Sequence, residues 1–318
     1  MKDLGKTLEV RREKVDEASA GQRIDNFLMR LLKGVPKSHV YRILRSGEVR
    51  VNGGRIPQTY RLCEGDEVRV PPVRVASREE PAVPIGTPFD IVYEDDALLV
   101  VNKPAGLAVH GGSGVSFGLI EQLRRQRPEA RFLELVHRLD RETSGLLIVA
   151  RRRSALTVLH DQMREGRVNK RYQTLVSGRW MNPQQHIKEP LFKYLTPEGE
   201  RRVRVDRDGK PAHSVVRLLR RWQRFSLLEV ELRTGRTHQI RVHLAHRGFP
   251  LAGDDKYGDF PLNKQLQREG LRRMFLHAWQ LKFRHPLTDA QIELSARLPD
   301  DLAGYLAVLE QTEERDYG

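Results

Sequence analysis

His137-Arg138-Leu139-Asp140-Arg141-Glu142-Thr143-Ser144-Gly145 is the stretch on which the reading of this chain turns. A short apolar run, Phe132 to Val136, precedes it, and another, Leu146 to Val149, follows it. Apolar runs of that length, bounded by turn residues, suit buried strands. The segment is therefore expected in a loop between strands, where a rigid scaffold can hold reactive groups. Thr143, Ser144 and Gly145 favour a tight turn through side-chain bonds to the backbone. The loop sets one carboxylate, Asp140, between Arg138 and Arg141. Taken alone, that pattern fits a structural ion pair as well as a reactive acid.

Working outward, the region from Phe89 to about Val308 alternates short strands with helices. Ile91 to Tyr93 and Leu98 to Val101 read as strands around the turn Glu94-Asp95-Asp96. Ala155, Leu156, Leu159 and Met163 fall on one helical face closed by Gly166. Tyr172, Thr174 and Val176 share one face of a strand, and Leu228, Val230 and Leu232 alternate in another. A helix is expected to start near Thr237-His238-Gln239-Ile240, which puts Arg241 in its first turn. A cation there opposes the helix dipole by about 0.3–1 kcal/mol, a mismatch that a partner carboxylate makes tolerable; without one, Arg241 reads as a surface arginine. The spacing of the strands predicts a mainly antiparallel mixed sheet flanked by helices, an α+β architecture.

Before Phe89 the pattern differs. Ile24, Phe27, Leu28, Leu31 and Leu32 form one helical face, stopped by Gly34 and Pro36. A second helix is expected from Ser38 as N-cap, with Val40, Ile43 and Leu44 inward and Gly47 closing it. Val49 and Val51 alternate with Arg50, Asn52-Gly53 signals a turn, and Val68 and Val70 mark another strand. Residues 21–75 hold eleven Lys and Arg against five Asp and Glu, with Lys37, Arg42 and Arg45 on polar helix faces. Prolines cluster at 71–88 without apolar periodicity, which reads as a linker.

Composition narrows the function. Lys and Arg number 56 against 42 Asp and Glu, a net charge of +14 that favours polyanions such as RNA or DNA. No apolar run reaches the length of a membrane span, and the first residues lack the apolar core of a secretory signal, so a cytoplasmic protein without membrane contact is expected. Cys63, the single cysteine, is expected to be a small core residue, and one cysteine makes no disulfide or Cys-cluster zinc site. His238, His243 and His246 do not reproduce the H-E-x-x-H spacing of a zinc helix. Gly111, Gly112 and Gly114 lack the G-x-x-x-x-G-K-[ST] pattern of a phosphate loop. No metal is expected.

Two resemblances sharpen this. RIDNFL at 23–28, SHVYRILRSGEVRVNG at 38–53 and EGDEVRV at 64–70 resemble the S4 RNA-binding domain. HRLDRETSG at 137–145 resembles the catalytic motif of Rlu-type pseudouridine synthases. VVNKPAGLAVHGG at 100–112, KRYQTLVSG at 170–178, LRTGRTHQIRVHLAHRGFPLAGDDKYG at 232–258 and FLHAWQLKFRHP at 275–286 resemble further motifs of that family, in the family's order. The S4-like segment and HGGSGVSFG at 110–118 are most similar to the family branch that modifies large-subunit ribosomal RNA.

The resemblance implies a set of roles. Asp140 matches the catalytic aspartate, acting either as nucleophile at ribose C1′ or as the base that takes the 2′ proton. Tyr172 matches the active-site tyrosine and Arg241 the arginine that pairs with the aspartate. Arg138 matches the residue that occupies the space left by the flipped uridine. Arg42, Arg45 and Lys37 would touch RNA through the S4 domain. The reaction is an isomerisation and needs no cofactor. The expected organisation is a tail at 1–20, an S4 domain at 21–75, a linker at 76–88, a synthase domain at 89–308 and a tail at 309–318. The expected partner is 23S ribosomal RNA, bound by a monomer. The alternatives are a non-catalytic ribosome-assembly factor and a synthase acting on transfer RNA.

Overall fold

The computed structural model describes residues 10–32, 34–73, 86–111 and 117–316, with side chains through residue 312. The chain divides into two compact units, Met1–Ala82 and Val83–Gly318.

The first unit runs β1 (Arg11–Lys14), α1 (Ile24–Leu31), α2 (Lys37–Arg45), β2 (Arg50–Val51) and β3 (Glu67–Val70). The apolar stripes of the two helices close over a three-stranded sheet of order β1-β3-β2. Ile24, Phe27 and Leu28 meet Val40, Ile43 and Leu44 above Val49, Val51, Leu62, Val68 and Val70. Asn52 and Gly53 both have positive φ, 49° and 79°, as the expected turn requires. The buried Asp66 carboxylate accepts from Asn52 Nδ2, Tyr60 Oη and the Cys63 backbone N–H.

The structure departs from the sequence expectation at three places in this unit. Residues 11–14 are not tail: they pair with β3 in register from Arg11↔Val70 to Lys14↔Glu67. Helix α2 starts at Lys37 behind Pro36, and Ser38 does not cap it. Cys63 is exposed, because it stands in the turn that Asp66 closes rather than on a strand or helix face.

The second unit runs β4 (Asp90–Glu94), β5 (Leu98–Lys103), α3 (Leu119–Gln126), β6 (Glu134–Leu135), β7 (Ser144–Ala150), α4 (Arg153–Arg164), β8 (Asn169–Ser177), β9 (Gln184–Ile187), β10 (Leu191–Leu195), β11 (Arg201–Val205), β12 (Ser214–Arg221), β13 (Phe225–Leu232), α5 (Gln239–His246), α6 (Phe260–Arg268), β14 (Leu276–Arg284), β15 (Gln291–Ser295) and α7 (Asp300–Asp316). The main sheet has the order β4-β5-β7-β14-β8-β13-β12-β9, with β6 on β7 and β15 on β14; β10 and β11 form a separate hairpin. Of these pairings only β7–β14 is parallel. The fold is thus α+β with a mainly antiparallel mixed sheet.

The parallel pair positions the site. Gly145 lies beside Ala278, and Ala278 beside Tyr172, so the mouth of the HRLDRETSG loop and Tyr172 share one row across three strands. Gly145 has φ of 109°, and a Cβ there would lie 2.2 Å from the Ala278 carbonyl oxygen, so the crossing needs glycine.

Most of the expected linker, residues 76–85, lies outside the described residues. Its end does not behave as linker, since Gln126 of α3 donates to the Thr87 carbonyl. The expected tail from 309 is helical to Asp316, and Leu309 is buried with Leu302 and Tyr305. On α4, Gln162 rather than Met163 completes the buried face with Ala155, Leu156 and Leu159. Its amide is satisfied at both ends by the Arg284 backbone, which is why a polar side chain is tolerated there.

Candidate active site

The HRLDRETSG loop is fastened at three points. Thr143 N–H donates to the Asp140 carbonyl and makes the turn. Lys103, fully buried at the end of β5, donates from Nζ to the carbonyls of Pro104, Leu107 and Arg141, at 2.8, 2.8 and 3.0 Å. One ammonium thus ties the loop after β5 to the loop that carries Asp140. Burial pushes Lys103 down to about 7 against the pull of Glu142 and Asp140. His137 accepts the Ile148 N–H on Nε2, and burial, helped by the charge of Lys170, holds it down to about 3, so its ring is neutral.

Asp140 Oδ2 lies 3.4 Å from Arg241 Nη1 and 3.9 Å from His238 Nε2. Arg241 occupies the first turn of α5, as its place in the sequence predicts. Its stronger bonds go elsewhere: Nε and Nη2 grip Asp254 at 2.7 Å each in a two-pronged pair. Asp254 is fully buried and also accepts the backbone N–H groups of Lys256 and Tyr257. Burial opposes both charges. The Asp254 bonds nonetheless hold the Arg241 guanidinium above its usual value, with the charges of Asp254 and Asp140 adding to the effect. Arg241 and the two backbone donors hold the Asp254 carboxyl below its usual value.

Around this pair, Tyr257 presents its ring 5.1 Å from the guanidinium carbon. Its hydroxyl sits 2.8 Å from His238 Nδ1 and accepts the Val203 N–H. His238 precedes α5 with φ of 53°, a left-handed backbone that costs a non-glycine residue on the order of 1–2 kcal/mol. Its ring is held between the Tyr257 hydroxyl and Asp140. Burial lowers its basicity against the pull of Asp140.

Tyr172 is buried on β8, and its burial, then the charge of Asp140, push its hydroxyl well above the ordinary phenol range. Asp140, Tyr172, His238 and Arg241 line one cavity of about 400 Å³. Arg138 lines the same cavity; it is exposed, and no bond or ion pair ties its guanidinium down among the described residues. The cavity is open to solvent, large enough for one nucleoside, and pairs an acid with a cation that cannot leave it. It suits chemistry at a ribose and base.

Residues 97–246 match the family described as RNA pseudouridylate synthase, and residues 22–68 match the S4 domain. A protein from Escherichia coli (strain K12) named ribosomal large subunit pseudouridine synthase C is 54% identical over 291 residues, 89% of this chain and 91% of that protein. One of the same name from Yersinia pestis is 53% identical over 298 residues, 91% of this chain and 92% of its own. The chain belongs to the RNA pseudouridine synthase family. Among solved structures, human RNA pseudouridylate synthase domain containing 4 is 27% identical, with a TM-score of 0.57 over 69% of this chain and 92% of its own. Human RNA pseudouridylate synthase domain containing 1 is 25% identical, with a TM-score of 0.58 over 74% and 97%.

As a member of this family the chain is an RNA pseudouridine synthase, an isomerase. Of the residues picked out by sequence, the structure brings Asp140, Tyr172, Arg241 and Arg138 to one cavity. Lys37, Arg42 and Arg45 lie exposed on α2 of the other unit, where Arg45 Nε donates to the Tyr41 carbonyl and Arg42 sits 3.9 Å from Glu48. Sequence reading missed Asp254, Lys103, Lys170, Tyr257 and the placement of His238 beside the acid. His243, grouped with it by spacing, is instead buried between Ser214 Oγ and the Glu189 carbonyl. No group of three metal-binding side chains lies among the described residues. No helix among them is long and apolar enough to cross a membrane. Of the glycines weighed as a phosphate loop, Gly112 and Gly114 lie outside the described residues, and Gly111 N–H donates to Glu121.

Proposed function

We propose that this chain isomerises specific uridines of 23S ribosomal RNA to pseudouridine, with Asp140 as the reacting carboxylate. The observation that carries the reading is Asp140 on the wall of a nucleoside-sized cavity, 3.4 Å from a buried arginine and sharing that wall with Tyr172. The names of the relatives, which span nine-tenths of this chain, support large-subunit RNA as the target.

The chemistry follows from the groups present. The C1′–N1 bond breaks, the base turns, and C5 joins C1′. No atom is gained or lost, so the reaction asks for no cofactor. Asp140 serves as nucleophile at C1′ or as base for the 2′ proton, and both uses need its ionised form. Arg241, 3.4 Å away, fixes the direction of the carboxylate. Tyr172 offers a ring for the base to stack on and a hydroxyl for proton movement at C5. A uridine in structured RNA must be extruded at a cost of a few kcal/mol, and the untied Arg138 at the cavity fills the gap it leaves. Lys37, Arg42 and Arg45 hold phosphates, which adds affinity without choosing the base. Such an enzyme works where ribosomal RNA is made, in the cytoplasm. The test is a pseudouridine map of ribosomal RNA from cells lacking the protein. Specific 23S positions should revert to uridine, return with the wild-type chain and stay absent with Asp140→Asn. An unchanged map, or losses confined to transfer RNA, would contradict the reading.

A further inference from the structure

One half-buried cation in the cavity has no counter-charge among the described residues. Lys170 lies on β8, two residues before Tyr172, so both side chains leave the same face of the strand about 6–7 Å apart. Both line the cavity that holds Asp140. The Lys170 ammonium sits over Gly235, where even an added Cβ would be only 3.7 Å away, and its partner among the described residues is the thioether of Met163 at 3.5 Å. No carboxylate among those residues pairs with it. The other cations along the cavity beside Arg241 differ. Arg138, Arg164 and Arg236 are exposed; Arg164 bonds Asp161, and Arg236 donates to the Pro211 carbonyl. Lys170 is half-buried, and that burial alone pushes its ammonium below the ordinary lysine range. A protein does not desolvate a charge and leave it unpaired without cost. The pairing partner is then expected to arrive with the substrate.

We infer that Lys170 is a catalytic electrophile that takes up the negative charge of the uracil when it separates from the ribose. The inference rests on the reading of the cavity as a uridine site. When C1′–N1 breaks, the bonding pair leaves with N1, and the detached base is an anion with charge spread over N1, O2 and O4. The deficit at C1′ is met by Asp140, through a bond to C1′ or through loss of the 2′ proton to the carboxylate. A base stacked on Tyr172 brings a carbonyl edge to the next side chain on the same face. Lys170 donates a hydrogen bond to that oxygen and keeps its protons. The pair returns through C5 to C1′ as the Asp140–C1′ bond breaks or the 2′ proton goes back from the carboxylate to C2′; C5 then loses its proton, and N1 takes one up. A fixed cation in a partly dry site, aimed where charge develops, lowers the barrier without tightening the ground state. Phosphates are met at the rim instead, by the exposed Arg164 and Arg236 that water already serves.

The test uses the full-length enzyme and a ribosomal RNA fragment on which the wild type is active. Lys170→Met should lower kcat by roughly 10²-fold or more while KM and the salt dependence of binding stay near wild type. Lys170→Arg should restore part of the rate. With 5-fluorouridine at the target position the base leaves more readily as an anion, so the deficit of Lys170→Met in cleaving the glycosidic bond should shrink. A thermal melt of each variant checks folding. If Lys170→Met does not fold, Lys170→Gln and the fluorinated substrate carry the same comparison. Unchanged kcat would overturn the inference. So would a raised KM with a flatter salt dependence, which would make Lys170 a phosphate contact. A wild-type enzyme inactive on every ribosomal fragment would instead remove the uridine reading beneath it.

Discussion

Arg241 in the synthase unit and Arg42 in the S4 unit are the same side chain in two different surroundings. Arg241 is 7% exposed and bound to Asp254 at 2.7 Å, while Arg42 is 59% exposed and stands 3.9 Å from Glu48. In the first setting each charge exists because the other does, and removing one strands its partner in a poor solvent. In the second, water and salt supply most of what a partner would, and the pair is worth about 1 kcal/mol or less. The dry cation therefore fixes geometry. The wet one remains free to exchange its counter-ions for phosphates.

The comparison predicts effects of very different size. Arg241→Ala should cost about 3–5 kcal/mol of stability, read by chemical denaturation, and most of the turnover. Arg241→Lys keeps the charge but loses the two-pronged grip, so it should recover only part of both. Asp254→Asn should break the same pair from the other side and change the acid response. Because the Asp254 carboxyl is held below its usual value when folded, its contribution is present above the ordinary Asp range and is lost as pH falls through the folded value. The variant should lack that part of the acid-induced loss of stability. Wild-type stability in Arg241→Ala and Asp254→Asn would mean the pair holds nothing.

Replacing Lys37, Arg42 and Arg45 together by Ala should leave the melting temperature nearly unchanged. RNA binding should weaken, and the slope of log K against log salt should fall by about 2–3 units. An unchanged slope would remove these three from the RNA contact.

What could be read from sequence follows the same division. Loop chemistry and strand alternation are local, so the Asp140 loop, the face of Tyr172 and the helix start before Arg241 are legible without a structure. Partners are not local. LAGDDKYG offers Asp254 and Asp255 side by side, and nothing in the string says that the first is buried under Arg241 while the second is exposed. Lys103 in VVNKPAG reads as a strand end, and its three carbonyl partners come from two separate loops. Residues 11–14 carry a strongly charged pattern with no apolar alternation, so only pairing with β3 reveals a strand. The segment from 309 onwards is polar enough to look like a tail, yet Leu309 anchors a helix that continues past it. Gln162 takes a core position because the backbone of Arg284 meets its amide, a match 122 residues apart in sequence.

The most direct test of the account is Asp140→Asn in the full-length enzyme, assayed for pseudouridine formation and for RNA affinity on the same ribosomal fragment. Asn keeps the shape of the side chain and removes its charge and basicity. Turnover should fall by roughly 10³-fold or more while affinity stays close to wild type. Turnover near wild type would contradict the assignment of Asp140 as the reacting carboxylate, and with it the role given to every group arranged around it.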